Sequence, residues 1–310
     1  MWFKNLLVYR IASARPISAD DLEAALSRHA LQPCGSYETE RCGWLSPRDD
    51  GRYVYAVEKQ WLLALGVNQK LLPAAVINEV VKERAAALAA QQDHPVGRKQ
   101  LRDIRERVLA ELMPQALTRR RTTRVWLDPV NHWLAVDTAA EKKADALLEA
   151  LIKADSGIAA KRLDTGHSPA AAMTQWLAAG EAPHGFSIDQ DLELRSSDDG
   201  QATVRYVRHA LDGREIRDHI AAGKSATRLG MTWQDRISFV LTEQLQLKRL
   251  AFLDVLREEA SNHGSDAEER YAADFALMAG ELTRLLADLT RALGGEKKPA
   301  ASSGVQPRHD

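Results

Sequence analysis

Three apolar segments near the C-terminal end follow one another with almost no chain between them: SATRLGMTW at 225–233, DRISFVLTE at 235–243 and LKRLAFLDV at 247–255. Gaps this short hold a turn but no crossover helix, so the three read as successive antiparallel strands. Such a run of strands, with helices set between other groups of strands, argues against a doubly wound sheet. The expected class is α+β, with antiparallel sheets and packed helices.

Upstream, WFKNLLVYRI at 2–11 reads as an opening strand. Ser18 followed three residues later by Asp21 gives a capping-box-like start to a helix through about Leu31. RYVYAVEKQWLLAL at 52–65 is aromatic-rich and strand-like. Pro73 then stands at a helix start, with Val76, Ile77, Val80, Val81 and Leu88 at helical spacing as far as about Gln92. DHPVG breaks this helix. A second, from about Arg98 to Met113, places Leu101, Ile104, Val108, Leu109 and Leu112 on one stripe and turns Arg98, Arg102 and Arg105 toward another. Two helices joined by so short a link form an antiparallel helical hairpin, expected to project as an arm.

The stretch ALTRRRTTRVWLDPVNHWLAVD at 116–137 reads as a β-hairpin. Asp128 to Asn131 suit a four-residue turn with Pro at its second position, which pairs Leu127 with His132 and Trp126 with Trp133. Alternation puts Val125, Leu127, Leu134 and Val136 on a core face and Arg124, Trp126, Trp133 and Ala135 on the other. The tryptophans are expected to stabilise the sheet rather than stack on bases. Helices follow at about 139–154 and after Ser168-Pro169, the second stopping at Gly180. GQATVRYVRHAL at 200–211 alternates as a strand with Arg205, Val207 and His209 on one side and Val204, Tyr206 and Arg208 on the other. REIRDHIAAGK is a short helix closed by Gly223.

The last helix carries Tyr271, Phe275, Met278, Leu282, Leu285, Leu289 and Ala292 in steps of four and three. This heptad seam is expected to lie on the protein's own sheet, with self-association the other use. Five segments are expected: an N-terminal α/β part of the body at 1–72, the helical arm at 73–115, a hairpin with helices at 116–180, an antiparallel sheet with a long helix at 181–295, and a polar, disordered tail at 296–310.

A formal net charge of -1 conceals a partition. Residues 98–124 hold nine Lys/Arg against three Asp/Glu, whereas 254–296 hold ten acids against four bases. A local basic segment can bind a polyanion even when the whole chain is neutral. At 310 residues and 45% hydrophobic the chain can bury a substantial core. No apolar run approaches the length of a membrane span, and the expected location is the cytoplasm. Cys34, Cys42 and His29 are too few and too loosely spaced for a zinc site, so no metal or cofactor is expected.

Enzyme motifs fit poorly. AAGKSA ends like a phosphate-binding loop, but Asp218 stands where its first glycine belongs, so Lys224 is no nucleotide lysine. Asp128, Glu141 and Lys143 imitate the order of metal-dependent nuclease motifs, yet Asp128 falls in a turn and Glu141 opens a helix. No catalytic residue is assigned. The alternative is a metal-dependent nuclease or DNA-end-processing factor using Asp128, Asp137 and Glu141.

MWFKNLLVYR at 1–10, PCGS at 33–36, GW at 43–44, LLPAAVI at 71–77, TQWLAAG at 174–180, DHIAAGK at 218–224, WQDRISFVL at 233–241, LKRLAF at 247–252 and ADFALMAGEL at 273–282 together resemble the bacterial recombination-associated RdgC family. They run in family order over nearly the whole chain. The resemblance implies a cytoplasmic, nucleoid-associated, non-enzymatic protein that binds DNA, duplex or single-stranded, with little sequence preference. It also implies a homodimer closed head to head into a ring with a basic inner surface, and antagonism of the RecA recombinase. After the arm the family reads Leu-Pro-Arg-Ala-Phe-Ser-Arg-Phe, against Met113 to Arg120 here. Arg119 matches, and Leu117 and Arg120 replace the two aromatics. In VRYVRHAL, Arg205 matches, Arg208 keeps the charge and His209 replaces an uncharged polar residue. The expected DNA contacts are Arg98, Arg119, Arg120, Arg121, Arg124, Arg205, Arg208, His209 and Lys224.

Overall fold

A computed structural model describes residues 2–13, 16–196, 202–261 and 266–297. Among these residues alternating apolar segments pair into one open sheet of twelve strands, and every strand pairing in it is antiparallel. Numbered along the chain, β1 is Leu6–Ser13, β2 Glu40–Leu45, β3 Tyr55–Val57, β4 Gln60–Leu71, β5 Leu117–Asp128 and β6 Trp133–Val136. The remainder are β7 Ile158–Arg162, β8 Phe186–Ser196, β9 Thr203–Tyr206, β10 Lys224–Trp233, β11 Ile237–Thr242 and β12 Gln246–Phe252. Across the sheet the order is β2-β4-β5-β6-β1-β12-β11-β10-β8-β9, with β3 beside β4 and β7 beside β1. The three C-terminal strands lie side by side as expected, and the N-terminal strand joins them to the arginine-bearing hairpin.

Among the described residues eight helices complete the α+β class: α1 Ala19–Ser27, α2 Ala74–Gln92, α3 Arg98–Gln115, α4 Glu141–Ala154, α5 Pro169–Ala179, α6 Arg214–Ala221, α7 Asp254–Ser261 and α8 Ala267–Ala292. On one face α5, α6 and α8 bury Met173, Ile216, Phe275, Leu282 and Leu285 against Trp126, Leu229 and Trp233. On the other, α1 and α4 bury Leu22, Leu147 and Leu151 against Leu7, Leu63, Val125 and Leu134. The heptad seam of α8 therefore lies on its own sheet. Arg236, in the β10–β11 turn, and Arg284 both reach the fully buried Glu281, which ties the helix to that turn. Ser18 caps α1 by accepting from the Asp21 amide.

Several local expectations are corrected. α1 stops at Ser27, because His29 and Leu31 pair with the backbone of Trp44. The aromatic stretch 52–65 is two strands: Glu58 takes a left-handed φ of 54°, and a two-residue turn reverses the chain between Val57 and Gln60. In the β5–β6 hairpin Leu127 faces Leu134 and Trp126 faces Ala135, two places from the expected register, with His132 at φ 59° closing the longer loop. A shift of two preserves pleat parity, so the expected faces survive. Both faces are buried, with Trp126 and Trp133 inside the first core. β9 ends at Tyr206, and Arg208 adopts φ 53°, so residues 207–209 do not continue the strand.

The five-residue link after α2 folds α3 back along it, and Ile77, Val81, Ile104 and Val108 form a small cluster of their own. Chain order does not end at Gly295: Glu296 bridges Thr165 and the Lys297 amide bonds to the Asp164 carbonyl. The rest of the tail, 298–310, lies outside the described residues. No helix among the described residues is long and apolar enough to cross a membrane.

Candidate nucleic-acid interface

Strand β5 is twelve residues long but is flanked on both sides only at Val125, Trp126 and Leu127. β4 pairs with it from Leu117 to Leu127, whereas β6 begins only opposite Val125. The stretch 117–123 is thus the outer strand of a β2-β4-β5 ribbon, with no β6 beside it. Arginines suit such an edge, because charge on an exposed edge discourages pairing with another strand. Successive side chains alternate, so the arginine run is split between two faces. Arg119 and Arg121 continue the row of Val125 and Leu127 on the α1/α4 side. Arg120 and Arg124 continue the row of Trp126 on the α8 side.

Arg120 donates from Nε to the side-chain oxygen of Asn68, its partner across the ribbon, at 3.2 Å. Together with Leu31, Pro33, Cys34 and Thr118 they line an open groove of about 600 Å³. Arg124 is half-buried beside Tyr271. Burial raises the phenol's pKa and the Arg124 charge partly offsets this. Among the described residues none of Arg119, Arg120, Arg121 and Arg124 forms an ion pair with a carboxylate.

A second basic group lies at the far end of the sheet, about seven strand spacings from β5, or roughly 34 Å along the sheet. Arg205 sits opposite Glu193 of β8 and is exposed. Arg228, Lys248 and Arg249 line the same shallow depression, of about 50 Å³. These three were missed in the sequence. In β10 the signal is parity, since Arg228 is the exposed neighbour of buried Leu229; in β12 a left-handed Arg249 breaks the alternation and leaves Lys248 and Arg249 between buried Leu247 and Leu250. This side of β8–β12 lies outside both apolar clusters, since α5, α6 and α8 all cover the opposite side.

The other expected contacts are scattered. Arg208 and His209 follow the end of β9 in a bend, where His209 stacks near Tyr206 at 5.3 Å and stands 3.9 Å from Glu215. Lys224 opens β10 opposite Ser196. Arg98 is exposed at the first position of α3, beside the turn of the helical hairpin. The sheet therefore carries Arg119–Arg121 and Arg124 on one strand, divided between its two faces, and Arg205 at its far end, and Arg98 joins neither.

The carboxylates of the nuclease alternative are engaged in structural bonds. Asp128 is fully buried and accepts from the amides of Val130 and Asn131, the Asn131 side chain and the Thr283 hydroxyl. Asp137, at the other end of β6, accepts from the amides of Lys4 and Asn5, and Glu141 accepts from Gln246. No group of three metal-ligating side chains occurs among the described residues. Cys34 and Cys42 are both free, and burial raises the Cys42 thiol pKa.

Comparison with known proteins matches residues 1–296 to the family described as "Putative exonuclease, RdgC". Three relatives bear the name recombination-associated protein RdgC. That of Cupriavidus pinatubonensis is 52% identical over 298 residues, covering 96% of this chain and 100% of the relative. That of Janthinobacterium sp. (strain Marseille) is 51% identical over 296 residues, covering 96% and 99%. That of Dechloromonas aromatica is 51% identical over 299 residues, covering 96% and 98%.

Proposed function

The chain belongs to the RdgC family, and we propose that it is a DNA-binding protein of recombination that acts by occupying DNA rather than by turning it over. The observation that carries this reading is the β4–β5 ribbon, where four arginines stand clear of carboxylates among the described residues, on a strand that extends past β6. Phosphate contacts of this kind position a protein on DNA without reading its sequence, so the binding is non-specific. Arg205, Arg208, His209 and Lys224 supply a second basic surface toward β9, and Arg98 stands apart on the helical hairpin.

The working unit is a homodimer closed into a ring around duplex DNA and associated with the nucleoid. With the α8 seam buried in its own core, the projecting α2–α3 arm is the place for the contact between copies. It exposes Val76 and Leu101, and a two-fold axis would use each contact twice. A ring seated on duplex DNA limits the access of RecA. The names of the relatives, which mention recombination and no catalytic activity, agree with this reading.

The family description also contains the word exonuclease. Incubation of the protein with plasmid and magnesium separates the two readings. Retarded migration with every strand intact supports occupancy. Strand breaks that disappear in Asp128→Asn, Asp137→Asn or Glu141→Gln would replace it with metal-dependent cleavage.

A further inference from the structure

The two basic regions differ in how their charge is held. The ribbon arginines have no carboxylate partner among the described residues, whereas Arg249, Arg228 and Arg195, on the strands near Arg205, are engaged. Arg249 lies 3.0 Å from Asp191. Arg228 and Arg195 lie 3.6 and 3.5 Å from Glu193, and Arg195 is also 3.2 Å from Glu243. Asp189, Asp191 and Glu193 occupy alternate positions of β8, and a register shift opposite Gly230 lets the first two flank that residue. A Cβ at Gly230 would come within 3.3 Å of the Cβ atoms of both aspartates, so the glycine makes room for the acidic row. Glu193 is fixed by the Thr227 hydroxyl at 2.9 Å, and Asp191 accepts the Arg208 amide at 3.3 Å.

We propose that Asp191 and Glu193 are positioning residues of the DNA interface, which hold Arg249, Arg228 and Arg195 in the free protein as stand-ins for phosphate. The inference rests on the DNA-binding reading above. The Arg249 side chain is 64% exposed and that of Asp191 32%, and such a pair is weak enough to exchange partners; Arg228 is 45% exposed but Glu193 only 11%, so that pair is held more firmly. When a DNA phosphate takes the arginine, the DNA releases a counterion while the abandoned carboxylate gathers one. The exchange is nearly neutral in salt. A ribbon arginine, which leaves no carboxylate behind, releases its counterion without compensation. The ribbon should therefore carry the salt dependence of binding, and the β8–β12 face should hold DNA with little dependence on it.

The test is a salt titration of the full-length protein on a fluorescent duplex, read by anisotropy, with circular dichroism on each variant. Glu193→Gln and Asp191→Asn keep the side-chain shape and remove the charge. Glu58→Gln, on the exposed β3–β4 turn, makes the same change in net charge away from the face. Glu193→Gln should steepen the log-log slope by about 0.9 per protomer, as Arg228 is freed while Arg195 keeps Glu243, and Asp191→Asn by about 0.9. Binding at low salt should tighten about two- to fivefold. If Glu193→Gln does not fold, Asp191→Asn decides alone. Slopes equal to wild type, a slope change matched by Glu58→Gln, or weaker binding would overturn the proposal while leaving DNA binding in place. A wild-type protein that binds no DNA would overturn both.

Discussion

Arg120 donates from Nε to the side-chain oxygen of Asn68, 3.2 Å away and directly across the β4–β5 ribbon. Asn68 is itself buried and donates to the Gln32 carbonyl, so it joins the ribbon to the loop after α1. Asn68→Ala should cost about 1–2 kcal/mol in urea unfolding, because it leaves that carbonyl without its donor. Arg120→Ala should stay within about 0.5 kcal/mol of wild type, since its side chain is exposed. An equal loss in the two variants would mark Arg120 as a structural residue.

The α8 seam faces the sheet, so Leu282→Ala should lose about 2–5 kcal/mol of stability through the cavity it leaves. The oligomeric state should not change with it. Sedimentation of Val76→Asp/Leu101→Asp, on the arm, should show monomers that retain the circular dichroism of the wild type. A dimer persisting in that variant would move the contact away from the arm.

Asp189 gives a pH dependence of definite sign. Burial, partly offset by the Thr232 hydrogen bond and reinforced by the Asp191 charge, raises its carboxyl pKa above the ordinary value of 3.8. The ionised form is thus disfavoured in the fold, and Asp189 opposes folding at neutral pH. That opposition fades as pH falls through the raised folded value toward the unfolded one. Asp189→Asn should therefore raise the melting temperature at pH 7, with the gain shrinking in mildly acidic buffer. A variant less stable than wild type at pH 7 would show that the ionised carboxylate is favoured in place.

Much of the fold is legible in the sequence because its signals are local. Period-two rows in β10 and β11, the Ser18 cap and Gly223 after α6 each depend on nearby residues. What escapes depends on geometry between strands. The β5–β6 register turns on a left-handed His132 that nothing in DPVNH announces. Four neighbouring arginines look like one patch, yet the pleat divides them into Arg119/Arg121 and Arg120/Arg124. Arg228, Lys248 and Arg249 come from strands distant in sequence from Arg205, and sheet order alone brings them together.

The buried Asp128 should behave as a structural cap. Asp128→Asn turns one acceptor of the turn amides into a donor and should lower stability by about 1–3 kcal/mol. Asp137→Asn and Glu141→Gln should be milder, and retention of DNA in a gel should match wild type for all three. Loss of DNA binding in a folded Asp137→Asn or Glu141→Gln variant would give these carboxylates a role in the interface.

The central claim is that the β5 arginines meet phosphate, and a salt titration of the two faces tests it most directly. Arg119→Ala/Arg121→Ala and Arg120→Ala/Arg124→Ala are each titrated on two duplexes of unrelated sequence, with Arg284→Ala/Arg291→Ala on α8 as the control. Each phosphate contact removed should flatten the log-log slope by about 0.9, so a pair duplicated in a dimer removes up to about 3.6. The loss should be the same on both duplexes, and the α8 control should keep the wild-type slope. Wild-type slopes in both folded ribbon variants would contradict the account and place the DNA-facing surface elsewhere on the protein.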